Sequence, residues 1–496
     1  MEELTACSAS TIVRALASGE CRAEEVMAAC LARIDADNTT LNAICTVNPN
    51  ALVEARAVDA RIANSEPLRP LEGVPVVIKD NIETAGLLTT YGSKLHVDNV
   101  PGDDAILVDR LRSAGAIVIG KSNTPEFAAD INTSNLVFGQ TRNPWDVNVT
   151  PGGSSGGTAA AIAAGFAPIG IGTDLGGSIR IPAAFNGIVG LRPSPGRVPV
   201  YPQQFGWDTL VAHVQGPMAR DVEDLGRVLS VIAGPDDRDP STLPTTSIDY
   251  TAAAQGWGRV DGLRIAFAGD FDGLVPVETE VKELVHDAMS GLSALGVVVE
   301  DASFDATSIR DIQAGTRAFN LVGRYGAVYD QHRSVLTPPI VNQIEAALRM
   351  SVRDVTRAEE LRTQYWHGVR ELLERYDVIA CPTVGAPAFR LDEALPKAIN
   401  GKPINHFYDV ILTTYIFSVT GLPSMSVPCG ISNRGLPVGL QLVGRRQREE
   451  DILNLAAHYQ RANPVYFQTP PPIDHGALKP VSDALSMPGV PVQSNR

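Results

Sequence analysis

The sequence predicts an α/β fold, and three observations carry that expectation. Short apolar runs of strand type alternate with segments whose apolar residues recur at helical spacing. Of the 496 residues, 44% are hydrophobic and 20% charged, the balance of a globular chain that can bury a large core. No internal repeat of fixed period runs through it. Length alone allows about three domains or one large α/β domain.

Taken in order, Ala23 to Ala36 places Val26, Met27, Cys30, Leu31 and Ile34 on one helical stripe, and Ala51 to Ile62 repeats the pattern. Leu71 to Ile78 is an apolar run of strand type ending in Lys79-Asp80-Asn81. Asp103 to Ser113 is a helix, punctuated by Ala114-Gly115, and Ala116 to Ile119 a buried strand. Residues 142–157 are loop-like, Thr158 to Ala164 forms a short Ala-rich helix, and Ala167 to Gly172 a strand leading into Thr173–Ser178. Asp221 to Ala233 is a helix stopped by Gly234-Pro235-Asp236-Asp237. A second half adds strands at Leu263–Ala268, Val297–Val299, Val378–Ala380, Ser424–Val427 and Val438–Val443. A helix at Val277–Leu295 and long helical stretches to about Tyr376 separate them. Residues 1–469 are expected to form one domain. Residues 470–496, with six prolines, form a Pro-rich tail.

The formal net charge is 41 − 56 = −15, which argues against a nucleic-acid partner and against an anionic membrane surface. Six cysteines without a CxxC pair read as packed thiols in a reducing compartment, and eight scattered histidines offer no metal site. The N-terminus lacks a basic and then apolar leader, so a cytoplasmic location is expected. From Val147 to Thr173 the chain carries no charge for 27 residues, a length that could span a bilayer. Its Gly, Ala, Ser, Thr and Pro content marks it instead as protein interior.

That uncharged interior holds the candidate chemistry. Gly152–Gly157 and Gly176-Gly177-Ser178 are Ser/Gly-rich turns, where glycine lets a substrate approach main-chain N–H groups that can hold an oxyanion. Ser178, just past a buried strand, has the setting of a nucleophile. Gly152-x-Ser154-x-Gly156 matches a nucleophile elbow, but an elbow needs a strand before it and Asn143 to Pro151 is none. A lysine base is the other option. Lys79 follows an apolar run, and desolvation lowers a lysine pKa toward a neutral amine.

Several motifs then resemble the amidase signature family. They are Gly73-Val74-Pro75 through Lys79-Asp80-Asn81, Gly152–Gly157, and Gly172 to Pro182. The likeness continues through Gly187–Pro193, Gly216–Arg220, Tyr376-Asp377-Val378 and Gly421 to Pro428, nearly the whole chain in order. The resemblance implies one α/β domain around a mixed sheet of about eleven strands flanked by helices on both faces. It implies Lys79 as base, Ser154 as a bridging serine after a cis peptide, and Ser178 as nucleophile. Ser155 is the competing relay. The amides of Leu175, Gly176, Gly177 and Ser178 would form the oxyanion hole, braced by Asp174 and Arg180. Asp80 and Asn81 are read as structural. Leu191-Arg192-Pro193-Ser194 departs from the family's usual Lys-Pro-Thr, with no catalytic consequence expected.

The resemblance implies an amidase acting on a small-molecule amide with water, with no cofactor or metal, as a monomer or homodimer. Carbamate and urea-type bonds are the alternative within the family. The amidotransferase branch that serves aminoacyl-tRNA ranks lower, because Asn123-Thr124-Pro125-Glu126-Phe127 replaces that branch's usual Met-Asp-Glu-Phe-like segment. A non-catalytic binding module conflicts with an intact Lys79, Ser154 and Ser178. Phe127, Tyr201, Phe205 and Trp207 are candidate pocket aromatics, suited to flat or greasy groups. With no charged partner to name there, neutral apolar or aryl amides are the expected substrates.

Overall fold

A computed structural model describes residues 2–203, 214–245, 247–467, 469–470 and 472–476. The tail expected from residue 470 therefore falls mostly outside the described residues. Among these residues one mixed sheet of eleven strands organises the chain. In chain order the strands are β1 (Ile44–Val47), β2 (Pro75–Lys79), β3 (Ile117–Ser122), β4 (Ile169–Asp174), β5 (Val189–Arg192) and β6 (Val214–Ala219). The second half adds β7 (Arg264–Phe267), β8 (Val298–Asp301), β9 (Val378–Pro382), β10 (Ser424–Ile431) and β11 (Pro437–Gly444). Their order across the sheet is β1-β3-β2-β4-β6-β5-β10-β11-β9-β7-β8.

The central strands explain their own sequences. β2, β3, β4, β9 and β11 are buried at every residue, so they read as unbroken apolar runs rather than alternating ones. β2 runs parallel to both β3 and β4. The remaining contacts out to β11 and β9 are antiparallel. Helices close over the sheet. Val222–Ile232 starts where Asp221 caps it by accepting from the Asp224 amide, and it buries Leu225, Val228, Leu229 and Ile232. The Asp224 carboxylate in turn accepts from the amides of Ala9 and Ser10, which pins the helix Ala9–Ser18 to the body.

Three strands escape the sequence pattern. β1 and β5 are only four residues long, and β6, Val-Gln-Gly-Pro-Met-Ala, carries a Gly-Pro pair that normally argues against a central strand. The long helical stretch after residue 301 resolves into Ile309–His332, Pro338–Leu348 and Val352–Leu373. Arg180–Asn186, seven residues buried throughout, also forms a helix without any amphipathic signal.

Small residues let the helix Gly156–Ala163 lie against the strands. A Cβ on Gly157 would stand 2.5 Å from both the backbone N and O of Asn123 and 2.8 Å from Ala43 O. Those are main-chain atoms of β3's exit and the approach to β1, which cannot swing aside. Gly157→Ala should therefore cost about 1–3 kcal/mol as an overpacking change. Gly102→Ala, which meets nothing within 4 Å, should cost little. Urea midpoints of the two variants measure the difference. Equal midpoints would contradict the packing argument.

Candidate active site

Two parallel strands deliver the site. Ile78 of β2 pairs with Ile171 of β4, so the carboxyl ends of both strands open at the same edge. Lys79 is the last residue of β2, and Thr173 and Asp174 are the last of β4. Lys79 is wholly buried. Its Nζ lies 2.7 Å from Ser154 Oγ, 3.0 Å from Ser155 Oγ and 2.9 Å from Thr173 Oγ1. All three partners are hydroxyls, which together can satisfy the two N–H donors and one lone pair of a neutral amine. Burial pushes the Lys79 amine well below the ordinary lysine value, against the opposing charge of Asp174.

The hydroxyls are not equivalent. Ser155 Oγ accepts from the Thr173 amide and donates to the Thr173 carbonyl, both at 3.3 Å, so its proton is committed to β4. Thr173 Oγ1 also accepts from Asn81 Nδ2 at 3.2 Å. Ser154 Oγ has Lys79 as its one hydrogen-bond partner among the described residues. The peptide between Gly153 and Ser154 is cis. The Ser155 amide donates to the Ser178 carbonyl at 3.1 Å and ties the two Ser/Gly-rich turns together. Ser178 and Ser154 line one cavity of about 40 Å³, with Leu175 and Gly176 on its wall. Their hydroxyls do not hydrogen-bond to each other here.

Asp174 and Arg180 form a wholly buried pair, with Arg180 Nε and Nη2 each 3.0 Å from a carboxylate oxygen. Arg180 also donates to Thr414 O, Gln441 Oε1 and Ser418 Oγ. Burial alone would raise the Asp174 carboxyl, but Arg180, Arg192 and the Ile179 amide outweigh it and hold it below its ordinary value. Asp174 Oδ1 accepts from the Gly177 amide at 2.8 Å. This amends the expected four-amide oxyanion hole. The Gly177 N–H is turned to the carboxylate, whereas the amides of Leu175, Gly176 and Ser178 donate to no protein acceptor among the described residues.

Other expectations need correction. Arg192 does bear on the site, since its wholly buried guanidinium lies 3.6 Å from Asp174 and is a second counter-ion to it. Charged groups also line the site. Arg317 and Asp130 border the same small cavity, and burial raises the Asp130 carboxyl to about 6. The reason for expecting only neutral substrates is thereby removed. These residues lie far from Ser178 in sequence and carry no local signal. Tyr408 and Tyr415, which also border the cavity, were missed for the same reason. Of the four candidate aromatics, Phe127 and Tyr201 line a second cavity of about 380 Å³ together with Tyr91 and Tyr325. Phe127 stacks on Tyr325 with centroids 4.7 Å apart. Asn81 and Thr173 line this cavity too, and Thr173 is shared with the smaller one. Phe205 and Trp207 lie outside the described residues. Among the described residues no helix is long and apolar enough to cross a membrane.

A family model described as Amidase matches residues 25–453. The chain belongs to the amidase signature family, whose enzymes act on amides. A bacterial aryl acylamidase of that family superposes with a TM-score of 0.86 at 30% identity, covering 94% of this chain and 98% of that one. A 6-aminohexanoate cyclic dimer hydrolase superposes at 0.84 with 27% identity, covering 95% and 100%. Among curated relatives, the A component of the glutamyl-tRNA(Gln) amidotransferase of Moorella thermoacetica is 38% identical over 91% of this chain and 95% of its own. An acylamidase of Rhodococcus erythropolis is 32% identical over 92% and 95%. The chain is thus similar to both kinds.

The neutral lysine has a stability signature. Its pKa is lower folded than unfolded, so the unfolded chain binds the extra proton. The resulting cost to the folded state is relieved as pH rises from the lowered value toward 10.5. The melting temperature of Lys79→Met minus that of wild type should therefore fall as pH rises from 7 to 10. Thermal unfolding across that range measures it, and a difference independent of pH would contradict a lysine buried neutral.

Proposed function

We propose that the protein hydrolyses carboxamide C–N bonds through an acyl-enzyme on Ser178, with Lys79 as base and Ser154 as proton relay. The supporting observation is the buried Lys79 amine 2.7 Å from Ser154 Oγ, whose cavity also holds Ser178 and the unengaged amides beside it. Ser178 Oγ attacks the carbonyl carbon while its proton passes to Ser154, and the Ser154 proton passes to Lys79. The oxyanion is met by the amides of Leu175, Gly176 and Ser178. Asp174, braced by Arg180 and Arg192, holds the turn through the Gly177 amide. The proton returns along the relay to the leaving nitrogen as the C–N bond breaks. Water then adds to the acyl-enzyme along the same relay and releases the carboxylic acid and Ser178.

The cavity lined by Tyr91, Phe127, Tyr201 and Tyr325 suits an apolar or aryl group on one side of the scissile bond. Carbamates and ureas are served by the same machinery if they fit. The similarity to glutamyl-tRNA(Gln) amidotransferase components favours a second reading, in which the chain works as part of such an assembly.

Ser178→Ala should abolish both turnover and labelling by a fluorophosphonate, and Lys79→Ala should lower kcat by about 10²–10⁴-fold, the usual worth of a general base. The substrate is tested by comparing kcat/KM for anilides, aryl carbamates, acetamide and glutamine with the isolated chain. An aryl substrate is expected to lead. Undiminished labelling of Ser178→Ala would overturn the nucleophile, and glutamine as best substrate by tenfold would favour the second reading.

A further inference from the structure

The small cavity at Ser178 contains a positioned cation that the proposed chemistry does not use. Arg317 lies on the helix Ile309–His332, half-buried, and lines the cavity with Ser154, Leu175, Gly176 and Ser178. Its guanidinium is fixed rather than loose. Nη2 donates at 2.9 Å and Nε at 3.3 Å to Gln343 Oε1. Gln343 Nε2 in turn donates at 2.6 Å to the carbonyl of Ala129, another residue of the cavity wall. The clamp therefore ties the cation to the rim of the site. It spends the guanidinium on a neutral amide oxygen, and no carboxylate pairs with Arg317 among the described residues.

The local charge balance is also unusual for a chain of net charge −15. Asp174 is already opposed by two buried guanidiniums, those of Arg180 and Arg192. Among the described residues Asp130 is the acid on the cavity wall itself. Its Oδ1 accepts from the amides of Ile131 and Asn132, so it is turned into its own loop. Its main chain abuts Gly153, on the Ser154 side. Arg317 also borders the neighbouring crevice with Leu175 and Tyr415, and burial rather than any guanidinium governs the Asp130 carboxyl. A guanidinium in a confined site gains most from an anionic acceptor that its planar fork can engage in two parallel hydrogen bonds. The cavity admits only a small group.

We propose that Arg317 is a specificity-determining residue that binds a carboxylate on the substrate, so that the preferred substrates are amides bearing a free acid on one side of the scissile bond and an apolar or aryl group on the other. This rests on the amide-hydrolase reading and deepens it. Gln343 is the positioning residue that holds the guanidinium.

The test uses three anilides of matched acyl length: unsubstituted, ending in a carboxylate and ending in an ammonium, with chains of two to four methylenes. Aniline release gives kcat/KM for each. Wild type should favour the best carboxylate substrate over its unsubstituted match by tenfold or more. In Arg317→Gln that ratio should collapse to within about twofold, while Arg317→Lys should keep part of it. A ratio read within one protein cannot be mimicked by partial unfolding, which lowers all three rates alike. Equal rates on the three substrates, a preference for the ammonium, or a carboxylate preference that survives Arg317→Gln would each overturn the assignment. Absence of hydrolysis of every anilide, carbamate and amide offered would instead defeat the amide-hydrolase reading itself.

Discussion

A lysine amine buried among hydroxyls is the constraint on which the rest of this structure depends. An ammonium in that position would need a carboxylate in contact, and Lys79 has Ser154, Ser155 and Thr173 instead. The one nearby acid whose charge reaches it, Asp174, is already bound by Arg180 and faced by Arg192. Those two arginines therefore do more than brace a loop. By drawing the Asp174 charge to themselves they leave the lysine to its desolvation. A second buried lysine, Lys121 on the adjacent strand β3, makes the contrast. Burial lowers it only to about 8, because Asp80 and other acids oppose the shift, and it donates to Ile82 O, Thr84 and Thr89 rather than to a serine in a cavity.

Keeping the amine dry dictates the backbone around it. The turn after β4 must come within contact of the helix Leu412–Ser418, and only glycine allows that. A Cβ on Gly176 would meet the Tyr415 ring at 2.6 Å, and one on Gly177 would collide with the Thr414 side chain. Thr414 Oγ1 donates to the Gly176 carbonyl at 2.7 Å, which fixes the peptide plane of the turn and so the direction of its amides. The Asp174 carboxylate does the same from the other side through the Gly177 amide. Strand ends, arginines and glycines thus converge on one purpose, a rigid ring of donors over an uncharged base.

Much of this was legible in the sequence for identifiable reasons. Strands buried on both faces are unbroken apolar runs, so β2, β3, β4 and β9 were visible, and Lys79 stood out as the charge ending such a run. The two Ser/Gly-rich turns were visible because close backbone approach demands glycine. β6 was hidden by Gly216-Pro217, and the short buried helix Arg180–Asn186 by having no polar face. The far walls of the site were invisible for a deeper reason. Arg317, Tyr408 and Tyr415 reach the cavity, and Gln343 reaches Arg317, through tertiary packing of segments more than 130 residues beyond Ser178, and nothing in their local sequence marks them. Arg192 was noticed as a departure, but its partner could be named only once β5 lay within reach of Asp174.

The most direct test is to titrate the Lys79 amine itself. NMR of protein carrying ¹³C,¹⁵N-labelled lysine, assigned by its disappearance in Lys79→Met, follows the Nζ protonation state from pH 6 to 11. The account predicts a resonance that titrates well below 10.5, the ordinary lysine value, and is neutral while the surface lysines are still charged. An Lys79 amine that remains an ammonium up to pH 10 would contradict it, because a charged lysine cannot take a proton from Ser154.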